Sequence, residues 1–170
     1  VSNPLKPLAA KPMTRAAAAI AVDGSLACLA QGDLVSLQDI SNLPATVELG
    51  VYRAENGERH YTDVAICNGL VCAVNAAKAN PRVEIIDIHD PAEPKLLGQC
   101  AVPSGIVCAW VGNVIYVPGM SGGDGVAGMV LLDVSNPSAP RVLQAIPDLV
   151  KSSCYRIMAH GKRLFYTDGM

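Results

Sequence analysis

Apolar residues along this chain fall in runs of about five to seven, broken by Gly, Asn, Asp and Pro, which is too short for helices and suits strands. Residues 18–22 and 26–30 flank Asp23-Gly24, and residues 64–67 and 70–74 flank Asn68-Gly69. Both dipeptides favour the left-handed conformations of tight hairpin turns, so each pair of runs is predicted to be a β-hairpin. A third run in each unit ends on aspartate, as in residues 83–87 and 129–133. Ser-Asn-Pro or His-Asp-Pro follows, where an Asn or Asp side chain can fold back on the main chain and proline restricts φ, so the chain must turn. A fourth run leaves that turn at residues 94–98 and 140–144. The predicted unit is four strands: a tight turn between the first and second, a variable loop, the aspartate-bearing third strand, the proline turn, the fourth strand and a second variable loop.

The unit repeats. The turn phrase occurs at Val1-Ser2-Asn3-Pro4, Asp39-Ile40-Ser41-Asn42-Leu43-Pro44, Asp87-Ile88-His89-Asp90-Pro91 and Asp133-Val134-Ser135-Asn136-Pro137, its aspartates 48 and 46 residues apart. A second phrase keeps step with it at Leu26-Ala27-Cys28, Leu70-Val71-Cys72, Val114-Ile115-Tyr116 and Leu164-Phe165-Tyr166. A shared period of roughly 44 to 50 residues suits a four-stranded propeller blade. The fold expected is therefore all-β, a β-propeller of four-stranded antiparallel blades, with about three complete blades and partial blades at both ends.

These residues resemble the LVIVD-repeat β-propellers, whose units carry an apolar strand ending in Asp-Val-Ser-Asn-Pro, then Pro-x-x-[LV]-[LV]-Gly, then a hairpin bearing an aromatic residue. Residues 129–143 match best and residues 85–98 follow closely. The hairpin aromatic is kept at Tyr116 and Tyr166 and lost at Cys28 and Cys72, and Leu43 interrupts the first Asn-Pro pair. The resemblance implies a propeller of a kind often found in cell-surface or secreted proteins, without one shared activity.

On this reading residues 1–14 carry the fourth strand of a preceding blade. Residues 15–51, 52–101 and 102–146 are full blades, and residues 147–170 begin another, all within one propeller. A six- to eight-bladed ring needs roughly 260 to 350 residues, and an unclosed array exposes apolar end faces. Further blades, pairing with another chain, or a compact four-bladed ring would close it. Of these, a segment of a larger propeller is preferred, because the boundaries cut through blades.

Composition narrows the function classes. The 170 residues are 51% hydrophobic and 16% charged with net charge −2, which places them outside the disordered class. No basic block supplies the electrostatic footprint that nucleic acid needs, and no apolar run is long enough for a membrane-inserted helix. Val1 opens the chain, so the lack of a leader carries no information on location. Six cysteines occur without Cys-x-x-Cys or His at zinc spacing, so no metal is expected. Cys28, Cys72 and Cys108 take places where other repeats put Tyr, Ile or Val, as small buried hydrophobes do. Unpaired thiols favour a reducing, intracellular location, against the surface or secreted habit that the resemblance implies. Bridges such as Cys67 to Cys72 would reverse that preference.

Chemistry-bearing motifs are sparse. Met120-Ser121-Gly122-Gly123-Asp124-Gly125 lacks the Gly-Lys-Ser/Thr ending of a phosphate loop. His60, His89 and His160 are scattered in turns, and the aspartates that recur in every unit are assigned to turn formation. No catalytic residue, cofactor or metal is assigned, and the chain is expected to be no enzyme. The long loops at residues 51–62, 75–81, 119–128 and 147–153 should share one rim, which presents Arg53, Glu58, Arg59, His60, Lys78, Asp124 and Lys151. A mixed-charge rim on a rigid frame suits a protein partner. The expected role is a scaffold or protein–protein interaction module, the alternative a surface or secreted propeller that binds a ligand or mediates adhesion.

Overall fold

A computed structural model describes residues 15–55, 58–103, 105–119, 128–150, 153–161 and 163–167. Fourteen strands occupy them. Strands β1 (Ala19–Asp23), β2 (Leu26–Ala30), β3 (Val35–Asp39) and β4 (Val47–Tyr52) form one antiparallel sheet in chain order. Strands β5 (Tyr61–Cys67), β6 (Leu70–Asn75), β7 (Arg82–Asp87) and β8 (Lys95–Ala101) form the second. Strands β9 (Ala109–Val111), β10 (Val114–Pro118), β11 (Gly128–Asp133) and β12 (Arg141–Pro147) form the third, and β13 (Ile157–His160) pairs with β14 (Arg163–Tyr166). The molecule is thus all-β, three four-stranded blades and a two-stranded sheet, as the repeat predicts. The fourth strand expected in residues 1–14 lies outside the described residues.

Each blade starts with a hairpin whose strands are separated by two residues. At Asn68-Gly69 both φ angles are positive, 50° and 72°, the conformation in which the turn's twist matches that of its strands. The first strands of successive blades, β1, β5, β9 and β13, lie side by side and form the inner wall. The fourth strands form the outer edge. Because strand side chains alternate in direction, each blade offers one face to the blade before it and one to the blade after. The apolar core is therefore split into three layers between blades. Leu37, Tyr61, Val71 and Ile86 fill the first, Cys72, Ile85, Ile115 and Leu132 the second, and Met129, Val150, Cys154 and Ile157 the third.

The recurring aspartate caps its own turn. Oδ1 of Asp39, Asp87 and Asp133 accepts the main-chain N–H two residues on, from Ser41, His89 and Ser135, at 2.8 to 2.9 Å. Asp90 and Asn136 repeat the device toward Ala92 and Ser138. These turns also join adjacent blades. A Cβ on Gly98 of β8 would stand 2.6 Å from the Pro137 carbonyl oxygen, and one on Gly50 of β4 would collide with that of Pro91. Glycine is needed at these two places because the next blade's proline turn rests against the strand. The position in β12 that matches Gly50 and Gly98 in register is Gln144.

One alignment made from the sequence shifts by a residue. The pairs Ala21 with Cys28, Ala65 with Cys72, Ala109 with Tyr116 and Met158 with Phe165 are equivalent. Phe165, not Tyr166, therefore corresponds to Cys28, Cys72 and Tyr116. The two-residue gap of the hairpin sets that register, whereas matching Leu164 to Leu26 inserts a residue into the turn.

Candidate functional site

The second blade departs from its neighbours at the rim that carries the variable loops. Glu84 stands in the middle of β7 between Val83 and Ile85 and is fully buried. Its equivalents in the first and third blades are Ser36 and Val130, and those of Arg82 are Leu34 and Gly128. A buried carboxylate must be paired and hydrogen-bonded to be tolerated. Tyr61 Oη donates to Glu84 Oε2 at 2.7 Å, Asn75 Nδ2 donates to Oε1 at 3.1 Å, and Arg82 Nε lies 2.6 Å from Oε1. That last contact is ionic in character, since the Nε–H is not aligned to donate. Tyr52 stacks edge-on against Tyr61 with ring centroids 6.2 Å apart, and its buried hydroxyl has no hydrogen-bond partner among the described residues. Burial, reinforced by the Glu84 charge, raises both phenols above their ordinary range and keeps them protonated.

Asn75 ties this buried group to the loops. Its Oδ1 accepts from the main-chain N–H of His60 at 3.0 Å and of Ala77 at 3.2 Å, while Nδ2 also donates to the Glu58 carbonyl at 3.3 Å. Ala76 N–H adds a 2.8 Å bond to the His60 carbonyl. The loop leaving β4 and the loop between β6 and β7 are thereby fixed to each other. Among the rim residues named from sequence, Glu58, Arg59 and His60 sit on the first of these loops and Lys78 on the second, and Arg53 follows directly after β4. Asp124 and Lys151 lie outside the described residues. The loops are shorter than the sequence suggested, since Val51 and Tyr52 still belong to β4, Tyr61 and Thr62 to β5, and Asn75 to β6.

Between the outer strands of the first two blades lies a cleft of about 710 Å³. Tyr52 and Arg82 of the buried group line it, together with Arg53, Asn80, Lys95 and Gln99. Gln99 pairs with Glu84 in register, so the cleft wall is the side of β8 that faces the preceding blade. Of the rim residues named from sequence, Arg53 lines this cleft. Tyr52, Tyr61, Asn75 and Glu84 escaped the sequence reading, although one signal was present: a charged residue inside the otherwise apolar third strand of one repeat and of no other.

Among the described residues no three His, Cys, Asp or Glu side chains are grouped to hold a metal, and no helix is long and apolar enough to cross a membrane. All six cysteines are unpaired, with Cys28, Cys72, Cys108 and Cys154 buried. Burial pushes the Cys28 thiol up to about 12. Cys67 pairs with Leu70 and Cys72 with Ala65, so the two cysteines are diagonal neighbours about 7–8 Å apart, too far for a bridge without backbone movement.

The LVIVD repeat profile matches residues 14–54, 77–102 and 111–145. No curated protein matches the chain. Among solved structures, the crystal structure of the computationally designed Ika4 protein superposes with a TM-score of 0.65 at 12% identity, over 96% of this chain and 92% of that one. At that identity the likeness concerns the fold alone.

Proposed function

The chain belongs to the LVIVD repeat family, and from that premise we propose that it is a non-catalytic propeller module that holds a protein partner on the rim joining its first two blades. The observation that supports this reading is the polar group of Tyr61, Asn75, Arg82 and Glu84, which occurs in one of the three described four-stranded blades and braces the two loops carrying Glu58, Arg59, His60 and Lys78. In a repeat protein, what recurs in every unit serves the stack, and what occurs once is free to serve recognition. Loops held on a rigid frame are where binding concentrates. The cleft beside them, with Arg53, Arg82, Lys95 and Tyr52 on its walls, offers the aromatic and arginine side chains that dominate interface energetics. Tyr61, held protonated, serves as a fixed hydrogen-bond donor to Glu84 and not as a base.

Ring closure belongs to the same reading. Val64, Cys108 and Ile157 are 5%, 6% and 8% exposed, whereas the equivalent Ile20 is 62% exposed. On the other end face Phe165 is 50% exposed where Cys28 and Cys72 are fully buried. A further blade, of this or another chain, is what would cover such faces.

Site-specific photo-crosslinking tests the rim. A photoreactive residue at Lys78 should capture a single protein from the native source, and the same residue at Arg141 of β12 should not. Arg53→Glu should abolish the Lys78 adduct while the far-ultraviolet spectrum stays unchanged. Equal capture from both positions, or turnover by the purified protein in a hydrolase and oxidoreductase substrate panel, would sink the reading.

A further inference from the structure

We propose that Cys72 and Cys108 form a modification site, a thiol pair that a small-molecule disulfide of the glutathione class converts to a bridge stapling the second blade to the third. Cys72 lies in β6, and Cys108 immediately precedes β9 in the next blade. Their Sγ atoms stand 3.7 Å apart within the layer formed by Val74, Ile85, Ile115 and Leu132. A bond requires that gap to close to roughly 2.05 Å, a displacement within reach of side-chain rotation.

The local structure holds the pair in place. Cys72 is locked between β5 and β7 by the sheet, opposite Ala65 and Ile85. On the other side, Cys108 donates its main-chain N–H to Asp63 Oδ2 at 2.8 Å, and this bond spans the two blades beside the sulfurs. The remaining thiols are differently placed. Cys100 and Cys154 point at main-chain carbonyls of Ala101 and Arg156, at 3.6 and 3.2 Å, and Cys28 belongs to the layer on the far side of the second blade.

The exchange proceeds in two balanced steps. One cysteine thiolate attacks a sulfur of the oxidant, whose S–S bond breaks and releases one glutathione thiolate, leaving a mixed disulfide. The second cysteine thiolate attacks the protein sulfur of that intermediate and expels the second glutathione. The two protons lost by the cysteines end on the two glutathione thiols, the pair giving up two electrons and the oxidant taking them. Both thiols are buried and Cys108 is held well above its ordinary range by its contact with Cys72 and by burial, so exchange waits on transient opening of the layer. The bridge is consequently a latch set during folding or slow breathing, not a rapid sensor.

The test is equilibration of the full chain in buffers of graded reduced to oxidised glutathione, followed by thiol labelling in denaturant and peptide mass spectrometry. The expected result is one bridge, Cys72 to Cys108, with the other four cysteines labelled, and a melting temperature higher by roughly 5–10 °C in the bridged form, since it closes a 36-residue separation. Cys72→Ser and Cys108→Ser should each abolish both changes, while Cys67→Ala and Cys100→Ala leave them. Bridging of another pair, oxidation that stops at a mixed disulfide, a bridged form that melts lower, or no bridge at potentials that oxidise the urea-unfolded chain would each overturn the proposal.

Discussion

At the scale of single residues, the same side-chain chemistry is used in opposite ways at the two rims. On the turn rim the aspartates are half-buried and are held ionised by the hydrogen bonds they accept. Asp133 is the extreme case: the Ser135 N–H and hydroxyl, with Arg141 adding a pair to Oδ2 at 2.9 Å, bring its carboxyl down to about 2 from the usual 3.8. Its contribution to stability is complete above about pH 4 and is lost as pH falls toward 2, because the unfolded chain takes up the proton first. Carboxyl-detected NMR titration should find Asp133 the lowest-titrating of the three turn aspartates, and Asp133→Asn should flatten the stability profile between pH 4 and 2. On the loop rim Glu84 is buried. Glu84→Ala leaves the Arg82 charge without its partner and should cost about 3–5 kcal/mol in urea unfolding. Replacing both by what the other blades carry, Arg82→Leu with Glu84→Val, should recover most of that loss, as burial without charge needs no partner. If partner capture at Lys78 is lost in that stable double variant, the polar pair serves recognition; retention would assign it to the fold alone.

At the scale of the element, the fourth strand of each blade determines how closely the next one approaches. Gly98 admits the Pro137 turn against β8, so Gly98→Ala should force backbone against backbone and destabilise by about 2–3 kcal/mol. Gln144→Ala, at the matching place in β12, should change stability by less than about 0.5 kcal/mol, because Gln144 is already an exposed side chain. A loss at Gln144 as large as that at Gly98 would mean that a proline turn rests there too. The proline-turn strand ending in glycine was visible in the sequence as part of the repeat. That the glycine is an inter-blade contact and not a local turn residue was not visible, since its neighbour lies about forty residues downstream.

For the molecule as a whole, the layered core makes stability a sum over neighbours, with the two end faces left as the weakest terms. Ile20 and Val22 of β1 share one open face, and the cross-strand pair Met158 and Phe165 occupies the other. Light scattering should therefore detect association of the 17.7 kDa chain that grows with concentration. Val22→Lys together with Phe165→Glu should return it to the monomer mass. A wild-type chain that stays monomeric at high concentration would show these faces to be covered already.

Sequence pattern accounts for the strands, the hairpins and the aspartate turns, because each is written in residues a few positions apart: alternation of side chains, Gly or Asn at positive φ, and a carboxylate capping an N–H two residues on. It also determined the blade, because a period of two matching phrases survives any uncertainty about individual strands. Which residues meet between blades is set by the packing of the sheets. Cys72 beside Cys108, Glu84 among Tyr61, Asn75 and Arg82, and Gly98 under Pro137 all depend on how one sheet lies against the next. Sequence pattern carries the facing direction of a side chain but not the partner it faces.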